Sequence, residues 1–332
     1  MVEQRLAKLA AAATFALLLI GGTVNATGSS LACPEPTLIC HGQFLPPMEG
    51  GVLYEHGHRL VAMTCGLLQI ALTLLLLLEQ RKLSKLLLLF WPPALRREIS
   101  ASRSKDKKLG LLLLGMIIAQ GAFGAVTVGL KLKWYVSTAH LALGMSYFAM
   151  LIYTAFRLRP RPSVLELDRH ARQRVELVSA RRWIAIACGA VMVQVVLGGL
   201  VRHLGAALVC IGMPACTPDG DWFPAAWIQD LHMIHRACGC VVAVITTAAA
   251  IQVYRHARSW PGLRALALIA PLLVAGQITL GVFTVLSMRA VPIAVAHFAG
   301  AMSLWALWMS AWLMTGDRSE SKLPRARAVG NL

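Results

Sequence analysis

The sequence predicts an all-α fold: a polytopic membrane protein whose eight transmembrane helices form two tandem, parallel-repeat four-helix bundles. Three observations carry this. Apolar residues are 57% of the 332 and charged ones 14%, a balance with too little polar surface to clothe a soluble chain of this size. Runs of about 20 apolar residues, each enough to cross ~30 Å of hydrocarbon as helix, can be read eight times. Finally, two patterns recur: Gly21-Gly22, Gly28, Leu31, Cys33 and His58-Arg59 return as Gly198-Gly199, Gly205, Leu208, Cys210 and His235-Arg236, 177 residues on. Gln120, Gly124, Thr127-Val128 and Ala139-His140 return as Gln277, Gly281, Thr284-Val285 and Ala296-His297, 157 residues on. Periods of this length mark duplicated structural units, with the 20-residue difference between them in the linker after His58.

Taken in order, the first span runs from Leu9 to Val24. Arg5 and Lys8 before it are also what a signal peptide would carry. Small residues are poorly placed for cleavage, however, and the repeat starts inside the run, so it is read as a retained span. The second, Glu55 to Leu78, carries His58; the third is Leu109 to Leu130; the fourth, Tyr135 to Phe156, carries His140. Trp183 to Val201 and Leu263 to Leu286 are the fifth and seventh. Leu231 to Tyr254 and Val291 to Met314, the sixth and eighth, carry His235 and His297. The expected organisation is an N-terminal bundle over 1–160, a basic cytoplasmic linker over 161–182, a C-terminal bundle over 183–316 and a cytoplasmic tail over 317–332.

The net charge of +17 has a distribution that argues against nucleic acid. Of 32 Lys and Arg, 26 fall on one side: before span one, between spans two and three, four and five, six and seven, in the tail, and at Arg264 in the first turn of span seven. The positive-inside rule then puts both termini in the cytoplasm and the cysteine loops outside it. The basic stretches Arg96 to Lys108 and Arg157 to Arg182 are topology determinants that touch anionic lipid. Four spans per repeat put both repeats the same way up.

Each bundle therefore presents one histidine on its second helix and one on its fourth, about equally far inside the outer end. Facing helices of such bundles build cofactor sites. A lone intramembrane histidine is often just hydrogen-bonded to a neighbouring helix, whereas four at matched depth argue for function. Two ligands are few for zinc and enough for heme iron. Gly22, Gly66, Gly124, Gly199, Gly239 and Gly281 would let a macrocycle approach, although small residues in membrane helices more often serve packing. Arg59 and Arg236 could pair with heme propionates or snorkel to the interface.

The Gly-Gly segment with Leu31-Ala32-Cys33, the Glu55-His56-Gly57-His58-Arg59 stretch, the Gln-x-x-x-Gly-x-x-Thr-Val run and the partners His232-Met233-Ile234-His235-Arg236 and Ala296-His297 together resemble heme A synthase. That is the heme O oxidising enzyme of cytochrome oxidase assembly. The resemblance runs from about Gly21 to Trp308, while the first loop, Cys-Pro-Glu-Pro-Thr-Leu-Ile-Cys, lacks the Trp-Pro common there. It implies oxidation of a ring methyl of heme O to a formyl group by two successive hydroxylations. It further implies heme b resident on His235 and His297, heme O as substrate held at His58 and His140, and one disulfide per half, the first pair also being open to redox activity. Heme O synthase is the expected source of substrate.

A titratable carboxylate stands three residues before the second-helix histidine in one half only: Glu55, whose partner is His232. Glu55 shares a helix face with His58 and could move protons; equally, it could cap span two. His232 would then neighbour the ligands. Cys33 with Cys40 and Cys210 with Cys216 fall in outer loops short enough to close as bridges. Cys65, Cys188, Cys238 and Cys240 read as small core residues, and His170 and His256 as solvated. His41, His56 and His203 receive no role. Two other classes compete: a membrane b-type cytochrome passing electrons between quinol and a partner, and a transporter, which accounts poorly for paired histidines. No flavin, nicotinamide or iron-sulfur signature names an electron donor.

Overall fold

A computed structural model describes residues 2–87, 93–159, 164–223 and 225–316, with side chains over 2–77, 106–159, 177–223 and 225–316. The expected tail over 317–332 and the side chain of His170 lie outside the described residues. So do the side chains of most of the two basic stretches. The eight described α-helices are α1 (Val2–Ala26), α2 (Gly50–Leu87), α3 (Pro93–Gly129), α4 (Trp134–Arg157), α5 (Val164–His203), α6 (Trp227–His256), α7 (Pro261–Leu286) and α8 (Val291–Thr315). Each contains an apolar stretch of 24 to 30 residues able to cross a membrane. This is a multi-pass membrane protein.

Three helices run well past the apolar spans read from the sequence: α2 has 38 residues, α3 37 and α5 40. Their extensions are rich in Lys, Arg, Glu, Leu and Ala, all good helix formers, so the backbone stays helical after hydropathy has ended. Pro93, Pro261 and Pro292 stand in the first turns of α3, α7 and α8, where a missing N–H costs nothing, while Pro271 lies inside α7.

Helices α1 to α4 close into one ring, α1 and α3 each packing on both α2 and α4; α5 to α8 close likewise, and the rings meet through α1, α4, α5 and α8. Helices α2 and α4 therefore stand diagonally across one ring and α6 and α8 across the other. The α3–α4 turn places Lys131 and Leu132 at positive φ, and the α7–α8 turn does the same with Met288 and Arg289, 157 residues later. Gly28 and Gly205, at φ 72 and 73, end the corresponding corners after α1 and α5; only a residue without Cβ takes that conformation freely.

Contacts across the seam are reciprocal. Gly22 faces Phe298 and Gly199 faces Leu141, so exchanging the halves by the two sequence offsets turns one contact into the other. Phe148 and Trp305, themselves 157 apart, meet at 6.3 Å between ring centroids. Arg202 donates from Nε to Asn25 Oδ1, its equivalent 177 residues earlier, and from Nη2 to the Gly22 carbonyl. Contact of a residue with its own equivalent is the mark of a two-fold interface.

The dense core lies toward the end away from the cysteine loops. In the first ring Ala7, Ala10, Leu72, Leu113 and Leu151 interlock there; Leu177, Ile184, Leu263, Trp308 and Ala311 do so in the second. Gln69, buried in the first ring, accepts from Tyr147 and donates to Thr73, which donates to the Gly110 carbonyl. The packed end holds the helices in place; in the second ring the loop end leaves room.

Candidate functional site

In the second ring that room is a cavity of about 980 Å³, at the top of the ~300–1,000 Å³ range of ligand pockets. His235 and His297 both line it, and it extends to Gly22 and Asn25 of α1 and Leu141 of α4. His235 is eight residues into α6 and His297 six into α8, about 12 and 9 Å from the helix starts. Glycines back both rings: a Cβ at Gly198 would lie 3.1 Å from His235 Cε1, and one at Gly281 3.1 Å from His297 Cε1. Any side chain there would push the imidazole aside.

Two glutamines orient these rings. Gln194 donates to the His235 carbonyl at 2.9 Å and lies 3.1 Å from Nδ1. Gln277 donates to the His297 carbonyl at 2.7 Å, while its own carbonyl, 3.1 Å away, can accept Nδ1–H of that histidine. At His297 an Nδ1–H donated to the Gln277 backbone carbonyl leaves Nε2 as the nitrogen for a metal, the arrangement by which outer partners fix ligand tautomers; at His235 it is the Gln194 amide nitrogen that approaches Nδ1.

The first ring repeats the plan with one piece missing. His58 is eight residues into α2 and His140 six into α4, the same depths as His235 and His297. Gly21 backs His58 and Gly124 backs His140, at 3.0 and 3.3 Å from a built Cβ. Gln120 donates to the His140 carbonyl at 3.1 Å. Position 17, however, is Leu where its equivalent 194 is Gln, so His58 has no amide beside it. The Nδ1 atoms of both His58 and His140 are buried without a hydrogen-bond partner. Buried polar atoms left so are uncommon and call for an explanation.

Both cysteine pairs are bridged, with Cα atoms 4.9 Å apart for Cys33–Cys40 and 4.3 Å for Cys210–Cys216. Each loop is gripped by the arginine that follows the second-helix histidine. Arg59 donates to the carbonyls of Cys33, Glu35, Thr37 and Ile39, and Arg236 to those of Cys210, Gly212, Pro214 and Ala215. The sequence had offered propionates or solvent as their partners; the structure adds loop-backbone carbonyls for both guanidiniums and the Glu55 carboxylate for Arg59. A loop folded back over its own helix is a tertiary fact that an His-Arg dipeptide does not announce. Arg236 still lines the cavity and keeps a buried Nε without an acceptor.

Glu55 is 4% exposed and fully engaged: Oε1 accepts from Arg59 at 2.6 Å and Oε2 from the Cys33 amide at 2.8 Å. Because α2 begins at Gly50, with no acidic residue in its first turn, Glu55 does not cap the helix. Hydrogen bonds from its own backbone and from the amides of His41 and Gly42 hold the Glu35 carboxyl below the usual carboxylate range.

Other expectations need adjustment. Gly66 has open space beside it, and Gly22 and Gly199 face the opposite ring; the glycines at the histidines are Gly21, Gly124, Gly198 and Gly281. Cys240 is exposed to the cavity rather than part of a core, and Cys188 and Cys238 are half-buried. His232 is buried at the cavity wall with Nδ1 unpartnered, and His203 pairs with Thr138 across the seam at 3.0 Å. Arg202 and Arg289, given no site role by the sequence reading, also line the cavity. Their signal was there: they are two of the few basic residues on the side otherwise poor in them.

Residues 49–309 match the family described as cytochrome oxidase assembly protein. The heme A synthase of Maricaulis maris is 30% identical, the alignment covering 91% of this chain and 93% of that protein. That of Geobacillus kaustophilus is 28% identical over 89% and 87%, and that of Bacillus pumilus 26% over 86% of each.

Proposed function

The chain belongs to the cytochrome oxidase assembly protein family that includes the heme A synthases, and from that membership and the geometry we propose how its two rings divide the work. The enzyme acts on heme O and forms heme A by oxidising a ring methyl to a formyl group. The second ring, residues 183–316, holds heme b between His235 and His297; the first, residues 1–160, takes heme O as substrate between His58 and His140. Bound in the second ring, heme b supplies one-electron redox chemistry.

The observation that carries this assignment is the difference in how the two histidine pairs are held. Gln194 and Gln277 brace both second-ring imidazoles, which suits a permanent cofactor. Gln120 stands beside His140 in the same way, but His58 has Leu17 where His235 has its amide, and a pair held on one side only suits a group that arrives and leaves. Glu55, absent from the second ring, is the one carboxylate three residues before a ligand. We assign it proton movement at the substrate, with Arg59 as its hydrogen-bond partner. Arg236, Arg202 and Arg289 stand at the cavity wall as propionate partners of heme b. An electron-passing b-type cytochrome would have no use for these inequalities between its halves.

The two rings are taken as parallel repeats, with both termini cytoplasmic, the 161–182 connection and the 317–332 tail on that side against anionic lipid, and the bridged loops outside. Heme O synthase is the proposed supplier of substrate. The test is pigment content: purified protein should carry heme b alone without co-produced heme O synthase, and heme O and heme A as well with it. Equal occupancy of both rings by heme b would reject the division of labour.

A further inference from the structure

Beside the Cys33–Cys40 bridge lies a third side chain capable of ligating a metal. His56 is 0% exposed, as are Cys33 and Cys40. One ligand atom from each of the three falls within 4.8 Å of the others. His56 Nε2 lies 2.9 Å from the Phe44 carbonyl, and a carbonyl only accepts, so Nε2 carries the proton and Nδ1 the lone pair. That Nδ1 is buried and has no hydrogen-bond partner. The arrangement is the one seen at metal-binding histidines, where the nitrogen away from the metal donates to backbone and fixes the ring.

We propose that reduction of the Cys33–Cys40 bridge creates a three-coordinate site for monovalent copper, formed by the two sulfurs and His56 Nδ1. In the first step a dithiol reductant delivers two electrons and two protons. The Cys33–Cys40 S–S bond breaks, two thiols form, and the reductant becomes a disulfide. In the second, the cation displaces both thiol protons to solvent and bonds two thiolates and one imidazole. Soft sulfur donors select copper(I), and three ligands satisfy it, whereas a structural zinc site asks for four. Two thiolates and one monovalent cation leave an excess negative charge beside Arg59, whose Nη2 is 3.1 Å from the Cys33 carbonyl.

The second loop offers an internal contrast. Position 233, equivalent to 56, is Met, so no imidazole occupies the corresponding place beside Cys210–Cys216. The bridge in the first loop would thus be a redox-gated site, closed to metal when oxidised.

The experiment uses the full chain in detergent, without oxygen, titrated with copper(I) against the chromophoric chelator bathocuproine disulfonate. Phosphine-reduced protein should withhold one more equivalent than a Cys33→Ser, Cys40→Ser variant treated alike, which accounts for copper on the other cysteines. Oxidised protein should withhold none of that extra equivalent. His56→Ala should weaken it by at least the roughly tenfold that even an outer-shell partner is worth. X-ray absorption of the copper-loaded wild type should show one nitrogen and two sulfurs, a reading that does not depend on the variant folding. No extra equivalent, unchanged affinity in His56→Ala, an all-sulfur shell, or displacement of the copper by stoichiometric zinc would each overturn the proposal. None of these outcomes bears on the heme assignment.

Discussion

Glu55 and Arg59 form a buried pair, their side chains 5% and 12% exposed, and the pair ties the first disulfide loop to the helix that carries His58. Two consequences can be separated by substitution. Glu55→Gln keeps a hydrogen-bonding side chain of the same shape but cannot carry a proton as a carboxylate does. We expect it to fold, to retain heme b, and to form heme A about 10²-fold more slowly, the lower end of what a general acid or base contributes. Full activity in Glu55→Gln would reduce the residue to a loop fastener. Arg59→Ala should be worse for folding, because it leaves a buried carboxylate uncompensated, a loss of ~3–5 kcal/mol; its check is the thermal midpoint compared with Glu55→Gln. At this scale the matched placing of the four histidines was legible because the repeat displays each of them twice. The arginine clamps were not, since their acceptors are backbone carbonyls of a loop whose path no local pattern dictates. Leu17 opposite Gln194 was visible in the alignment of the halves, yet an amide in an apolar span reads as packing until its histidine is seen beside it.

Among the elements, α5 carries the feature that most distinguishes the second ring. Gln194→Leu would make it like α1 at the equivalent position. The variant should still bind heme b but lose it faster on dilution, by the 10- to 100-fold that an outer partner of a metal ligand is typically worth; retention equal to wild type would remove the basis for calling this ring the permanent site. Gly199 packs α5 on Leu141 of α4, and a Cβ there would lie 2.6 Å from Leu141 Cδ2. Gly199→Leu should therefore cost ~1–3 kcal/mol as overpacking, read as a lower thermal midpoint with both hemes still bound. The eight spans were legible from hydropathy, as were the short bridged loops. Helix ends were not: Glu79-Gln80-Arg81-Lys82 stops a hydropathy window and continues a helix, since charge expels a segment from lipid without breaking its backbone.

For the whole molecule, the seam contacts place the two rings side by side about an axis that brings Asn25 onto Arg202 and Phe148 onto Trp305. The duplication was readable from the offsets of 177 and 157. How the copies pack was not, because the seam is made of apolar and glycine contacts that any membrane helix could offer. The cavity of the second ring reaches across the seam to Asn25 and Leu141, so the proposed cofactor site borders the helices of the proposed substrate site. The measurement that tests this account most directly is heme extraction from purified wild-type, His297→Leu and His140→Leu proteins, each co-produced with heme O synthase and separated by pigment type. We predict heme b with heme O and heme A in wild type, loss of heme b in His297→Leu, and retained heme b without heme A in His140→Leu. Loss of heme b from His140→Leu together with its retention in His297→Leu would contradict the assignment of the two rings.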